Sequence, residues 1–168
     1  MSEFTISKQI ELDAGHRVPL HASKCKNLHG HRYAVQLTID GQLISEGSET
    51  GMVKDFGFVK ELLNRVVHDP CDHSLILSVD DPMLPQMLFD PPDVTLSDLK
   101  AMIYTDFQSH VTFGIQGTRI YCIKRVPTAE NLAKHWGMLI TPLLPEGVLL
   151  ASLDVWETPT SVATWTPK

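Results

Sequence analysis

The residues best suited to chemistry lie in Cys25-Lys26-Asn27-Leu28-His29-Gly30-His31, read together with His16 thirteen positions before His29. Three histidines, two of them in a His-x-His pair, suffice to hold one zinc ion. A sphere of three protein ligands leaves the fourth tetrahedral position to water or substrate, the arrangement of a catalytic rather than a structural zinc. Cys25 precedes the pair by four residues and is flanked by Lys24 and Lys26, whose charge favours a reactive thiolate. The competing reading is a small buried apolar residue. His21, in the intervening stretch, is a spare ligand that fits neither strand pattern around it.

Two strands must position these groups. From Phe4 to Ala14 the even positions are Phe4, Ile6, Ile10, Leu12 and Ala14, broken only by Lys8, and the odd positions are polar. That period of two marks a half-buried strand, and His16 falls on its apolar parity. In a second run Tyr33, Val35, Leu37 and Ile39 share one face, and His29 and His31 share their parity. If the two runs pair antiparallel, all three imidazoles gather at one end of the inward face. An extended backbone is all that His-x-His then needs, because residues two apart point the same way.

Further along, Asp55 reads as an N-cap to a helix with Val59, Leu62, Leu63, Val66 and Val67 inward, ending near His68 before Pro70. Cys71-Asp72-His73 follows as a loop. Prolines 82, 85, 91 and 92 make the stretch from about 78 to 118 an irregular insert, with a short helix from Ser97 to about Ser109 (Leu99, Met102, Ile103 and Phe107 inward) and a strand over Arg119–Lys124. Thr128 caps the next helix, which turns Leu132, Trp136, Leu139 and Ile140 inward. A strand then carries Leu149, Ala151, Leu153 and Val155 on one face, continued by Glu157, and a last strand runs from about Ser161 to Thr166. The order predicts one α+β domain over residues 1–168, a four-stranded antiparallel sheet with two helices on one face and an insert between them.

Composition narrows the function. Hydrophobic residues make up 43% and charged ones 20%, ordinary for a soluble globular chain. No apolar run approaches the ~18 residues that would span a bilayer. The first residues lack the features of a secretory signal, and three cysteines without a CxxC suit a reducing, cytoplasmic setting. A net charge of −6 excludes a general nucleic-acid surface. Yet from Ala14 to Ile39 there is no Asp or Glu, while Arg17, Lys24, Lys26 and Arg32 all occur. A cationic patch around a metal in an acidic protein points to an anionic substrate, against the alternative of an ordinary solvated loop.

Two carboxylates complete the set. Asp72 beside His73 suits a proton relay, since a carboxylate fixes an imidazole's tautomer and raises its basicity. Glu157, closing an apolar strand face, either reaches solvent or meets a guanidine-like edge such as the 2-amino-pyrimidinone of a pterin or guanine.

Together these pieces resemble the 6-pyruvoyltetrahydropterin synthase / 6-carboxytetrahydropterin synthase family. The resemblance runs through Ala14-Gly15-His16-Arg17, Cys25-x-x-x-His29-Gly30-His31 and Gly51-Met52-Val53-Lys54-Asp55-Phe56. It continues through Asp72-His73, Pro127-Thr128-Ala129-Glu130-Asn131-Leu132-Ala133 and Trp156-Glu157-Thr158-Pro159-Thr160-Ser161. It implies the tunnelling fold, a homohexamer built as a dimer of trimers with active sites between subunits, and 7,8-dihydroneopterin triphosphate as substrate. It further implies zinc on His16, His29 and His31, Cys25 as proton-accepting thiolate, Asp72 and His73 as relay, and Glu157 as pterin anchor. Thr128 and Glu130 fall at further pterin contacts, and the patch near Arg17 and Lys24 would hold the triphosphate. Ala129 stands where some members have a second threonine, and the 78–118 stretch is longer than in compact members. Within the family the plain Cys-x-x-x-His-Gly-His pattern favours the carboxy-forming reaction of deazaguanine biosynthesis. The alternatives are the pyruvoyl-forming reaction and, in another class, a catalytically inactive zinc-stabilised pterin-binding module.

Overall fold

The structure, a computed structural model, describes residues 4–87, 95–104, 110–115 and 117–168. The expected pair of strands opens the chain. β1 (Phe4–His16) and β2 (His29–Gly41) form an antiparallel ladder in which Leu12 faces Tyr33, Ala14 faces His31 and His16 faces His29. The alternation predicted this register, because any one-residue slip would turn the apolar set to solvent.

Asp55 caps α1 (Phe56–Leu63) by accepting the Gly57 N–H at 2.6 Å. The expected stop before Pro70 is a correction. The chain passes through a π turn (Asn64–His68) into α2 (Asp69–Cys71), so the helical path takes in Pro70. A proline in a regular helix clashes with the preceding turn, and a widened turn relieves that crowding. α1 and α5 (Ala129–Ile140, capped by Thr128) lie on one sheet face, around Leu63, Val67, Leu132 and Trp136, all fully buried or nearly so. Losing a side chain such as Trp136 would cost about 3–5 kcal/mol.

The four-stranded antiparallel sheet is also corrected. Among the described residues the sheet is mixed and seven-stranded, in the order β4 (His110–Ile115), β5 (Thr118–Ile123), β3 (Ser74–Ser78), β1, β2, β6 (Leu149–Thr158) and β7 (Ser161–Trp165). β3 (Ser74–Ser78) pairs parallel with β1 and with β5 (Thr118–Ile123), while β4 (His110–Ile115) pairs antiparallel with β5. Ser-Leu-Ile-Leu-Ser hides as a strand because it does not alternate: Ile76 faces the main core and Leu77 a second one, as in strands covered on both sides. Gly15 permits the close approach of β3, since a Cβ there would stand 2.6 Å from Leu75 Cδ2.

Helices are accordingly not confined to one face. Part of the 78–118 stretch folds as α3 (Leu84–Met87) and α4 (Leu96–Tyr104), which bury Leu84, Leu99 and Ile103 against Leu77, Ile120 and Cys122 on the reverse face. Met102, expected inward, is exposed. Phe107, Pro91, Pro92 and the expected end of that helix near Ser109 lie outside the described residues.

β6 (Leu149–Thr158) joins β2, and β7 (Ser161–Trp165) forms the last edge. A bulge opposite Thr38/Ile39 breaks the expected parity at the start of β6, so Leu150 is buried and Leu149 is exposed. Beyond it Leu153 and Val155 are buried, and Glu157 follows on the same side.

At the other edge, Tyr121 of β5 shares a 2.8 Å hydrogen bond with His135 of α5, and the His110 ring of β4 lies 4.7 Å from the Tyr121 ring. Burial pushes His135 down to about 3 and lowers His110 as well. Both are depressed relative to an unfolded value near ~6.5. Below that value the unfolded chain therefore binds more protons, so the stability both contribute is full above about pH 6.5 and falls as the pH drops, for His135 until about pH 3. We expect the urea midpoint to fall between pH 7 and pH 5, with a shallower fall in His135→Gln; equal slopes in the two proteins would contradict this origin.

A three-histidine candidate metal centre

His16 ends β1 and His29 opens β2, so the ladder sets them side by side, with His31 two residues on. Their rings stand 4.5 to 5.1 Å apart between centroids, and one nitrogen from each lies within 4.8 Å of the others. The ring of the fully buried Tyr33 backs His16 and His31 at 5.7 and 5.5 Å. The alternation puts Tyr33 on the same face as His29 and His31, although the histidine motif itself does not include it.

Backbone carbonyls fix two of the tautomers. His16 Nδ1 donates to Pro127 O at 2.7 Å and His29 Nδ1 to Asn27 O at 2.8 Å. Each ring is left with an Nε2 lone pair, the arrangement in which an outer carbonyl orients a metal-binding imidazole. His16 Nε2 is buried, has no hydrogen-bond partner among the described residues, and lies 3.9 Å from Glu157 Oε1. A buried acceptor left unsatisfied costs about 1–3 kcal/mol, and a bound cation would relieve that. The donor set thus fits a divalent ion. Burial is the main reason the His16 pKa falls to about 4; the Pro127 bond opposes it, and His29 and His31 reinforce it. Burial also lowers His31, against the pull of Glu157. Neutral imidazoles are the form that binds a metal.

A cavity of about 260 Å³ opens beside the cluster, lined by His16, His29, Cys25, Thr128, Glu130 and Glu157 among others. The predicted candidates from four separate parts of the sequence therefore share one hollow. His21 also lines it but lies outside the cluster, its Nδ1 accepting the Ser23 N–H at 3.1 Å. Lys24 sits beside Cys25 on an exposed turn and does not line the hollow. Arg17 is turned away, with Nε 3.3 Å from the buried carboxylate of Asp81.

Asp72 and His73 form the dyad their sequence suggested. His73 Nδ1 and Asp72 Oδ2 are 2.9 Å apart, and Asp72 Oδ1 accepts the Asp13 N–H at 3.0 Å. Burial works against ionisation of Asp72, but the bonds from Asp13 and His73 prevail and hold its carboxyl below the usual range. His73 adopts φ +54°, a left-handed conformation, secured by its N–H on Asp13 O at 2.7 Å. Arg119, which the sequence did not single out, donates to the carbonyl of Asp69 and to that of Asp72 within the dyad. His73 of the dyad lines a different hollow, of about 500 Å³, shared with His31, Asp13 and Arg32. Cys25 and His73 thus do not meet within one chain.

Comparison with known proteins is consistent with this architecture. The sequence profile of the family described as 6-pyruvoyl tetrahydropterin synthase matches residues 5–168. The chain is 36% identical over 155 residues to 6-carboxy-5,6,7,8-tetrahydropterin synthase of Rickettsia bellii (strain RML369-C), covering 91% of this chain and 93% of that protein. It is 31% identical over 158 residues to the enzyme of that name from Haemophilus influenzae (strain ATCC 51907 / DSM 11121 / KW20 / Rd), covering 94% and 95%. Among solved structures, a Wolinella succinogenes protein superposes with a TM-score of 0.73 at 23% identity, covering 98% of both chains. The 6-pyruvoyl tetrahydropterin synthase of Caenorhabditis elegans gives 0.60 at 19% identity, covering 98% of this chain and 96% of that one. With its profile matched from the first strand to the last residue, the chain belongs to the 6-pyruvoyl tetrahydropterin synthase family.

Proposed function

We propose that the protein is a zinc-dependent 6-carboxy-5,6,7,8-tetrahydropterin synthase. It would convert 7,8-dihydroneopterin triphosphate and a water molecule to 6-carboxytetrahydropterin, releasing acetaldehyde and triphosphate, as a cytoplasmic lyase of deazaguanine (queuosine-type) biosynthesis. One observation carries the reading: the buried Nε2 of His16, without a hydrogen-bond partner among the described residues, faces both a cluster of imidazoles and the carboxylate of Glu157. The product named for the relatives from Rickettsia bellii and Haemophilus influenzae supports the carboxy-forming reaction over the pyruvoyl-forming one.

His16, His29 and His31 would hold the zinc, which when bound supplies a Lewis acid able to lower the pKa of the substrate's side-chain hydroxyls. Glu157 accepts two N–H donors from the 2-amino-pyrimidinone edge of the pterin. The ring is thereby oriented so that its carbon tail reaches the histidines. Thr128 and Glu130 form the wall on the pterin side. Cys25, as thiolate, takes a proton from the tail, and His73, oriented by Asp72, exchanges one on the opposite side. Because Cys25 and His73 line separate hollows, we assign the dyad to the site of a neighbouring copy within a homohexamer, a dimer of trimers. Arg17 is committed to Asp81, so we assign the triphosphate to Lys24 on the exposed turn beside Cys25.

Four measurements test the reading. Incubation with 7,8-dihydroneopterin triphosphate should give 6-carboxytetrahydropterin and acetaldehyde; a pyruvoyl product without acetaldehyde selects the sister reaction, and no turnover selects a binding module. Cys25→Ala should retain zinc and lose at least ~100-fold in kcat, the scale of a lost acid–base group, whereas parental turnover removes Cys25 from the mechanism. His29→Ala should lower zinc affinity by more than about 100-fold, and Glu157→Gln should keep zinc while kcat/KM falls about 10–100-fold. Loss of zinc from Glu157→Gln would make that carboxylate a fourth ligand and the site a closed one.

A further inference from the structure

The loop from Arg17 to Leu28 carries Cys25 and has almost no core of its own. Its short turn, Lys24–Lys26, buries no residue, and Leu20 is 96% exposed. Its internal bonds run from Val18 N–H to Cys25 O at 2.8 Å, His21 N–H to Val18 O at 3.0 Å and Asn27 N–H to Lys24 O at 3.0 Å. They set the loop's shape but not its place against the sheet. A segment with so few buried apolar contacts opens at low free-energy cost.

One contact differs in kind. Arg17 Nε lies 3.3 Å from Asp81 Oδ2, with the aspartate side chain wholly buried, and Arg17 Nη1 reaches Met83 Sδ at 3.2 Å. Asp81 is rigidly held. Its Oδ1 accepts the Met83 N–H at 2.8 Å, its N–H bonds Ser78 O, and its carbonyl accepts the N–H of Leu84. Leu84 is fully buried in the second core. The partner of Arg17 is therefore part of a packed element of the chain's long intervening segment.

We propose that the Arg17–Asp81 pair anchors the Cys25 loop over the metal end of the sheet, making Asp81 a positioning residue for the Cys25 thiol. The path is short: Asp81 holds Arg17 by charge, as an ion pair without a hydrogen bond, and the next residue, Val18, bonds the carbonyl of Cys25. The catalytic consequence rests on the role proposed for Cys25; the anchoring itself does not. Removing one partner of a buried ion pair strands a charge, whereas exchanging both for apolar groups of similar volume is often tolerated.

That asymmetry supplies the test. Cys71 and Cys122 are buried, so iodoacetamide acting on the native protein reports Cys25. Asp81→Asn should speed this alkylation about fivefold or more as the loop opens, and lower kcat about tenfold while zinc content and KM stay within about twofold. Arg17→Met with Asp81→Leu should return both rates to within about twofold of the parent. Arg17→Lys keeps the charge but not the guanidinium's reach to two acceptors; it should also speed alkylation, and it decides the matter if Asp81→Asn does not fold. Parental alkylation in a folded Asp81→Asn or Arg17→Lys overturns the anchor. So does a double variant with parental zinc whose KM for the triphosphate rises about tenfold, since Arg17 would then serve the substrate. Faster alkylation in Asp81→Asn together with a fully active Cys25→Ala would uphold the anchor and remove the catalytic role of the thiol.

Discussion

The antiparallel pairing of β1 with β2 is the constraint on which the rest depends. Its register places His16 opposite His29 and Ala14 opposite His31, so three imidazoles from positions up to fifteen apart reach one spot. A slip of one residue would carry the histidines to the other face together with the whole apolar set. The core that pays for the fold and the geometry of the centre are thus selected by the same alternation. Pro127, at the entrance to α5, then locks the His16 ring from a third direction.

Placing that centre at the rim of the core has an electrostatic consequence. His16 is almost fully buried, yet it borders a hollow wide enough for a small molecule. Low polarity keeps its imidazole neutral, and the carbonyls of Pro127 and Asn27 point two rings before any ligand arrives. Such preorganisation lets binding energy go to the ligand rather than to arranging the protein. Glu157 reaches the same place from β6, whose inward parity recovers after an early bulge.

Much of this was legible before any coordinates. Strict alternation disclosed β1, β2 and the converging histidines, and cap residues disclosed the starts of α1 and α5, because each signal is local and carries its own period. β3 was not legible. Ser74–Ser78 is covered on both faces, and a strand buried on both sides has no alternation to read. The parallel pairing of β3 with β1 depends on Gly15 and Leu75, sixty residues apart, and has no local signature. The stretch beyond Ser78 read as irregular because its prolines conceal short elements that are stable only through contact with Leu77, Ile120 and Cys122. Within the site, the residue types were visible but their company was not. His73 shares a hollow with His31 rather than with Cys25, and Arg17 faces a carboxylate from the stretch beyond Ser78.

The reverse face of the sheet differs from one side to the other. Behind β3 and β5 it is sealed by α3 and α4. Behind β1 and β2 it carries Thr5 bonded to Asp40, Ser7 beside Thr38, and Glu11 paired with Arg32, all polar and largely open to water. Among the described residues, this latter portion retains a face on which further sheets could curl around a common axis. A ring closed in that way would enclose a hydrated, charge-lined channel rather than a greasy interior, so its cohesion would have to come from strand edges and flanks instead of from the lumen.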